Sequence, residues 1–245
     1  MKITKKIILR ILTIILISYT VETSSSTYHL CNKIQVLSTN LLSKQTLIAS
    51  LPPYNIKLFA ANPQHDGVYK GLILYVNGKS AFFNWKSDSN PSFKPKLYLN
   101  DLNGDMKKEL IIILTTGSGS DIHEEEVHII NPENFSEIGI EDPLDIIKNN
   151  VKTRITKNDD DVLVQVTLNN KTQIIKRKSS DAGIWFENVG FGGWIHYDVE
   201  NKLLTVKVGA QVSPSGFVGE IIINYKFSDN KYVVDSILFE RSQSL

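Results

Sequence analysis

Apolar and polar residues alternate with a period of two along most of the chain beyond its first segment, and no other feature constrains the fold as much. Such alternation puts successive side chains on opposite faces of an extended segment, so one face buries and the other stays wet. Strands are predicted over 56–60, 68–76, 80–85, 96–100, 109–115, 126–130, 153–156, 162–168, 172–177, 194–199, 203–208, 218–227 and 232–239. Between neighbouring strands fall the dipeptides Asn77-Gly78, Asn169-Asn170, Glu200-Asn201 and Asp229-Asn230, residue types that tolerate the positive φ of tight hairpins. Hairpins join antiparallel neighbours, which disfavours a parallel α/β sheet. The expected fold class is mainly β, with antiparallel sheets, a propeller-blade-like first half, a β-rich second half and one or two short helices.

Asp142 followed by Pro143, Leu144, Ile146, Ile147 and Val151 reads as an N-cap, a proline at the first helical position and a short amphipathic helix ending near Asn149-Asn150. A second helix is predicted over 40–51, stopped by Pro52-Pro53. The first of these falls between two β-rich stretches. The expected organisation is therefore an N-terminal segment at 27–51, a β domain at 52–141, a helical linker at 142–150 and a C-terminal β domain at 151–245.

The first 26 residues read as a secretory signal peptide. Lys2, Lys5, Lys6 and Arg10 form a basic start, an eleven-residue apolar run follows at 11–21, and small polar residues occupy 22–27. Arg10 interrupts the apolar stretch, which is short of the roughly 20 residues a membrane span needs, so no permanent span is expected after cleavage. Tyr28-His29-Leu30 lacks the small residue that a lipid-anchor site requires before Cys31. The whole chain balances 27 basic against 26 acidic residues, and removal of the signal leaves it slightly acidic, which gives no argument for a nucleic-acid partner. One cysteine cannot form an internal disulfide, so stability must come from the core and from bound ions.

The segment 98–114 carries the most specific chemistry. Asp101, Asn103, Asp105 and Glu109 occupy positions 1, 3, 5 and 9 of a loop, and Lys107 at position 7 offers its backbone carbonyl. A hard cation such as Ca²⁺ takes six to eight oxygens at about 2.3–2.6 Å, and a tight loop presents alternate residues inward to supply them. Gly104 allows the sharp turn between the second and third ligands. Apolar strand-like sequence flanks the loop on both sides, whereas an EF-hand would have helices there.

The stretch Asp101-Leu102-Asn103-Gly104-Asp105-Met106-Lys107-Lys108-Glu109-Leu110 resembles the calcium loop of FG-GAP and VCBS-type repeats found in integrin-like propellers and secreted bacterial proteins. The resemblance implies that Asp101, Asn103, Asp105 and Glu109 bind Ca²⁺. It covers about twenty residues in a single copy, so it implies one blade-like unit and not a whole propeller. Met106 stands where such loops often have glycine, so positive φ there would be strained.

Other motifs are less productive. His123-Glu124 lacks the second histidine of a zinc-protease helix, because position 127 is valine, and His123 and His128 point to opposite faces of a strand. The glycine- and serine-rich stretch at 117–121 matches neither a phosphate loop nor a hydrolase elbow and reads as a hairpin tip. Trp185, Phe191, Trp194 and Phe217 belong to an aromatic-rich second half, read first as core and second as a sugar-stacking platform. His196 reads as an ordinary strand residue. No catalytic set and no organic cofactor site is legible.

The expected function is that of a secreted or cell-surface bacterial module. It would hold a structural Ca²⁺ through Asp101, Asn103, Asp105, Lys107 and Glu109, and bind a cell-envelope polysaccharide or protein without enzymatic activity. The alternative is a secreted hydrolase of cell-wall or extracellular polysaccharide, using carboxylates such as Glu187, Glu220 or Glu240.

Overall fold

In the computed structural model, which describes residues 45–242, the apolar run at 110–114 lies in a strand buried on both faces. Leu110, Ile112 and Leu114 enter one hydrophobic core, while Ile111 and Ile113 enter a second. All five are at most 1% exposed. Strict alternation cannot describe such a strand, and its sequence is accordingly a continuous apolar run. The expected export signal, Cys31 and the first part of the helix expected over 40–51 lie outside the described residues.

Strands β1 (Thr46–Leu51), β2 (Ile56–Ala60), β3 (Val68–Val76) and β4 (Lys79–Asp88) form one sheet in that order. Strands β5 (Lys96–Asn100), β6 (Glu109–Gly119), β7 (Ile122–Ile130) and β8 (Glu137–Ile140) follow as an antiparallel meander. After helix α1 (Pro143–Asn150) come β9 (Val151–Lys157), β10 (Asp161–Leu168) and β11 (Lys171–Lys178), a separate three-stranded sheet. The last strands are β12 (Trp194–Glu200), β13 (Leu203–Ser213), β14 (Gly216–Ser228) and β15 (Lys231–Arg241).

These last four do not stand apart from the meander. β15 pairs with β8, so β5 to β8 and β12 to β15 make a single eight-stranded sheet. β12 also pairs with β7, and the succession of pairings β7, β8, β15, β14, β13, β12 returns to β7 as a closed circuit. Strands from before and after α1 thus share one sheet, within a compact unit that begins at Leu47. The two parallel contacts are short, whereas the other registered pairings are antiparallel. The mainly β, antiparallel class read from the sequence is the class of the structure, with one α-helix among the described residues.

Local chemistry sets the joints. At Asn77-Gly78, Asn169-Asn170 and Asp229-Asn230 both central residues have positive φ, as two-residue hairpins require. The fourth turn is displaced by one residue: Glu200 pairs with Leu203, leaving Asn201-Lys202 as the turn. Register along the buried faces of β12 and β13 decides this, since a one-residue slip would turn Tyr197 and Val199 outward. Asp142 caps α1 by accepting the Leu144 and Asp145 N–H groups at 2.7 and 3.4 Å.

The helix expected over 40–51 needs correction where it is described. Residues 46–51 are strand β1, with Ile48, Ala49 and Leu51 packed on the first core, and Pro52 opens a short 3-10 turn. Pairing at the edge of a sheet overrides the helical pattern there. No described helix is long and apolar enough to cross a membrane.

Because Ile112 is fully buried in a strand packed on both faces, Ile112→Ala should destabilise the protein by about 2–5 kcal/mol. The midpoint of urea unfolding should fall with an unchanged slope.

Candidate functional site

The pairing of Asn100 with Glu109 leaves residues 101–108 as the loop between β5 and β6. Its polar side chains turn back on their own backbone. Asp101 Oδ1 accepts the Gly104 N–H at 2.8 Å, Asn103 Oδ1 accepts that of Asp105 at 2.9 Å, and Asp105 Oδ1 accepts that of Lys107 at 2.8 Å. Glu109 closes the loop by accepting the Leu102 N–H at 2.9 Å. Gly104 has φ +79°, and Met106 has φ +69° with its side chain in solvent, so position 6 adopts the strained conformation that glycine would hold freely.

The inner end of this loop carries a buried carboxyl. Glu109 is 4% exposed, and among the described residues no lysine or arginine forms an ion pair with it. Burial pushes its carboxyl above the ordinary range, against the Leu102 N–H, and Asp105 pushes the same way as burial. Tyr232, from β15, sits at 2% exposure with a hydroxyl that has no hydrogen-bond partner among the described residues. Burial raises its phenol first, and the charges of Glu109, Asp101 and Asp105 add to that. An ion pair lies at the loop's rim, where Lys202 Nζ stands 3.6 Å from Asp101. Tyr232 was not legible as part of the site, because it lies more than a hundred positions downstream in an ordinary strand pattern.

A second polar centre lies where β12 meets β7. His123 and Glu125 share a face of β7, two residues apart, and the parallel register of Trp194 with His123 and Ile195 with Glu124 brings His196 alongside Glu125. The ligand-type atoms of His123, Glu125 and His196 lie within 4.8 Å of one another. Glu125 accepts the Tyr197 N–H at 2.7 Å on one oxygen and Lys96 Nζ at 3.0 Å on the other. Burial raises the Glu125 carboxyl, but His196, Lys96 and the Tyr197 N–H outweigh it and hold the group at about 2. This buried anion therefore ties β5, β7 and β12 together. His128 lies elsewhere, stacked on Trp85 at 4.1 Å and against Glu137 at 2.6 Å.

Next to this centre opens a groove of about 900 Å³, bordered by Phe93, His123, Trp194, Phe217, Glu240 and Arg241. The three rings are half-buried, whereas Tyr197, Tyr225, Tyr232 and Phe239 are core. Gly209 makes room for Phe217, since a Cβ there would stand 2.7 Å from its ring. Trp194 stacks beside His196 at 5.8 Å, and Phe93 lies 5.6 Å from His123. Trp194 and Phe217 thus border the groove, where a stacking role is open to them, instead of lying in the core. Glu187 is instead exposed and paired with Lys157.

Comparison of the chain with protein-family models, with curated proteins and with solved structures gives no match. The cluster at Glu125 was missed in the sequence because its members come from strands some seventy positions apart, and the only local signal was the pair His123 and Glu125 at a spacing of two.

Because the Glu125 carboxyl is held at about 2 against an ordinary 4.5, its stabilisation is complete above pH 4.5 and disappears as pH falls toward 2. At 1.36 kcal/mol per pH unit the contribution is on the order of 3 kcal/mol. In metal-free buffer, Glu125→Gln should lower the melting temperature at pH 7 and flatten the acid limb of the stability profile below pH 4.5.

Proposed function

We propose that the protein is a secreted binding module whose loop from Asp101 to Glu109 holds a structural Ca²⁺. The single observation that carries this reading is the buried Glu109 carboxyl, which has no basic partner among the described residues and shares its surroundings with Asp101, Asp105 and the Tyr232 hydroxyl, itself without a hydrogen-bond partner among those residues. An unpaired buried charge costs several kcal/mol, and a divalent cation is the simplest compensation. Asp101, Asn103 and Asp105 each accept one backbone N–H and keep further lone pairs for an ion, which at Asp101 Oδ2 would compete with Lys202 at 3.6 Å. Lys107 supplies a carbonyl at position 7, as in other alternating-ligand loops. The ion pins β5 to β6 and so steadies the strand shared by both cores. The half-buried rings around the groove at Trp194 support a binding role, because ring faces at a wet cleft suit a sugar face of an envelope polysaccharide.

Thermal melts with Ca²⁺ and with EDTA test the ion. Wild type should melt higher with Ca²⁺, by the linkage between binding and folding. Asp105→Ala should lose that shift. Glu109→Gln should also lose it, yet melt no lower than wild type in EDTA, because it removes the buried charge that the ion-free protein must tolerate. A melting temperature that chelation leaves unmoved defeats the reading.

A further inference from the structure

We propose that His123, Glu125 and His196 form a second metal centre, distinct from the calcium loop, for a late first-row divalent ion of the Zn²⁺ type. The donor set is two imidazole nitrogens and one carboxylate, which suits Zn²⁺ and its neighbours, whereas Ca²⁺ takes oxygen ligands. The groups converge: His123 Nε2 stands 3.2 Å from Glu125 Oε1, His196 Nδ1 stands 3.3 Å from Glu125 Oε2, and one ligand atom from each residue lies within 4.8 Å of the others. A tetrahedral ion with bonds of about 2.0–2.1 Å holds its ligand atoms roughly 3.3–3.4 Å apart, so binding would draw the two imidazoles inward onto the carboxylate.

The imidazoles share the carboxylate with two other donors, Tyr197 N–H and Lys96 Nζ. An ion at the centre would replace the approach of the two ring nitrogens to Glu125, using the lone pair that a neutral imidazole offers on one nitrogen. Their rings are held in place by Phe93 and Trp194, so little ordering remains to be done on binding. Access is also present. The His123 and His196 side chains are 20% and 33% exposed, against 2% for Glu125, and His123 borders the groove, which leaves a fourth position for water or for a donor atom of a bound ligand. Lys96 is the competitor: its ammonium neutralises Glu125 in the absence of an ion, and the metal takes over that role.

Equilibrium dialysis of the purified chain against Zn²⁺, with millimolar Ca²⁺ present to fill the loop, tests the centre. Wild type and Asp105→Ala should each retain one Zn²⁺ per chain. Loss of an outer-shell partner weakens metal sites 10–100-fold, so removal of a ligand in His196→Ala should weaken binding by on the order of 100-fold or more. Lys96→Met should tighten it by roughly tenfold through loss of the competing charge, an effect that unfolding cannot mimic. Absence of bound Zn²⁺ in wild type overturns the proposal. So does equal affinity in His196→Ala, which would place the ion elsewhere on the chain, and so does an affinity in Lys96→Met no tighter than wild type. The calcium reading stands or falls separately, through the EDTA melts.

Discussion

Two-sided burial of β6 is the constraint on which the rest of the structure depends. Leu110, Ile112 and Leu114 belong to the core under the first sheet, and Ile111 and Ile113 belong to the core enclosed by the later strands. At about 1.5–3 kcal/mol for each fully buried aliphatic side chain, this one segment links the two cores energetically. The loop from Asp101 to Glu109 leads directly into it, and Glu109 is the first residue of the strand. A charge placed there cannot retreat to solvent without pulling β6 out of register, which is why an ion at that point would act on the whole protein and not on a surface turn.

Much of the fold was legible because its signals are local. The alternation in Val162, Val164, Val166 and Leu168 gave β10 its buried face, and Asn77-Gly78 marked a hairpin whose φ values are both positive. Asp142 and Pro143 fixed the start of α1. What failed was decided by distant partners. The segment 46–51 has a helical look on its own, yet it becomes an edge strand because a sheet is there to receive it. The turn at Asn201-Lys202 moved by one residue because burial of Tyr197 and Val199 set the register.

The candidate sites divide in the same way. Asp101, Asn103, Asp105 and Glu109 lie within nine positions, so spacing alone placed them on one loop, and even the awkward φ at Met106 followed from its position. Their buried neighbour Tyr232 did not, and neither did the meeting of His123 and Glu125 with His196. Period-two logic correctly separated His123 from His128, but it carries no information about which strand will arrive alongside. That information resides in the closure of the strand circuit.

The closure has a kinetic side. The contact between Trp194 and His123 joins positions some seventy residues apart, whereas β12 to β15 pair as successive hairpins. Local hairpins form in microseconds, whereas a join across such a span carries a loop-closure entropy that is recovered only when the seam zips. The ring of strands is therefore expected to shut late in folding, with the Glu125 anion and its basic neighbours as the latch that holds the seam once it has met.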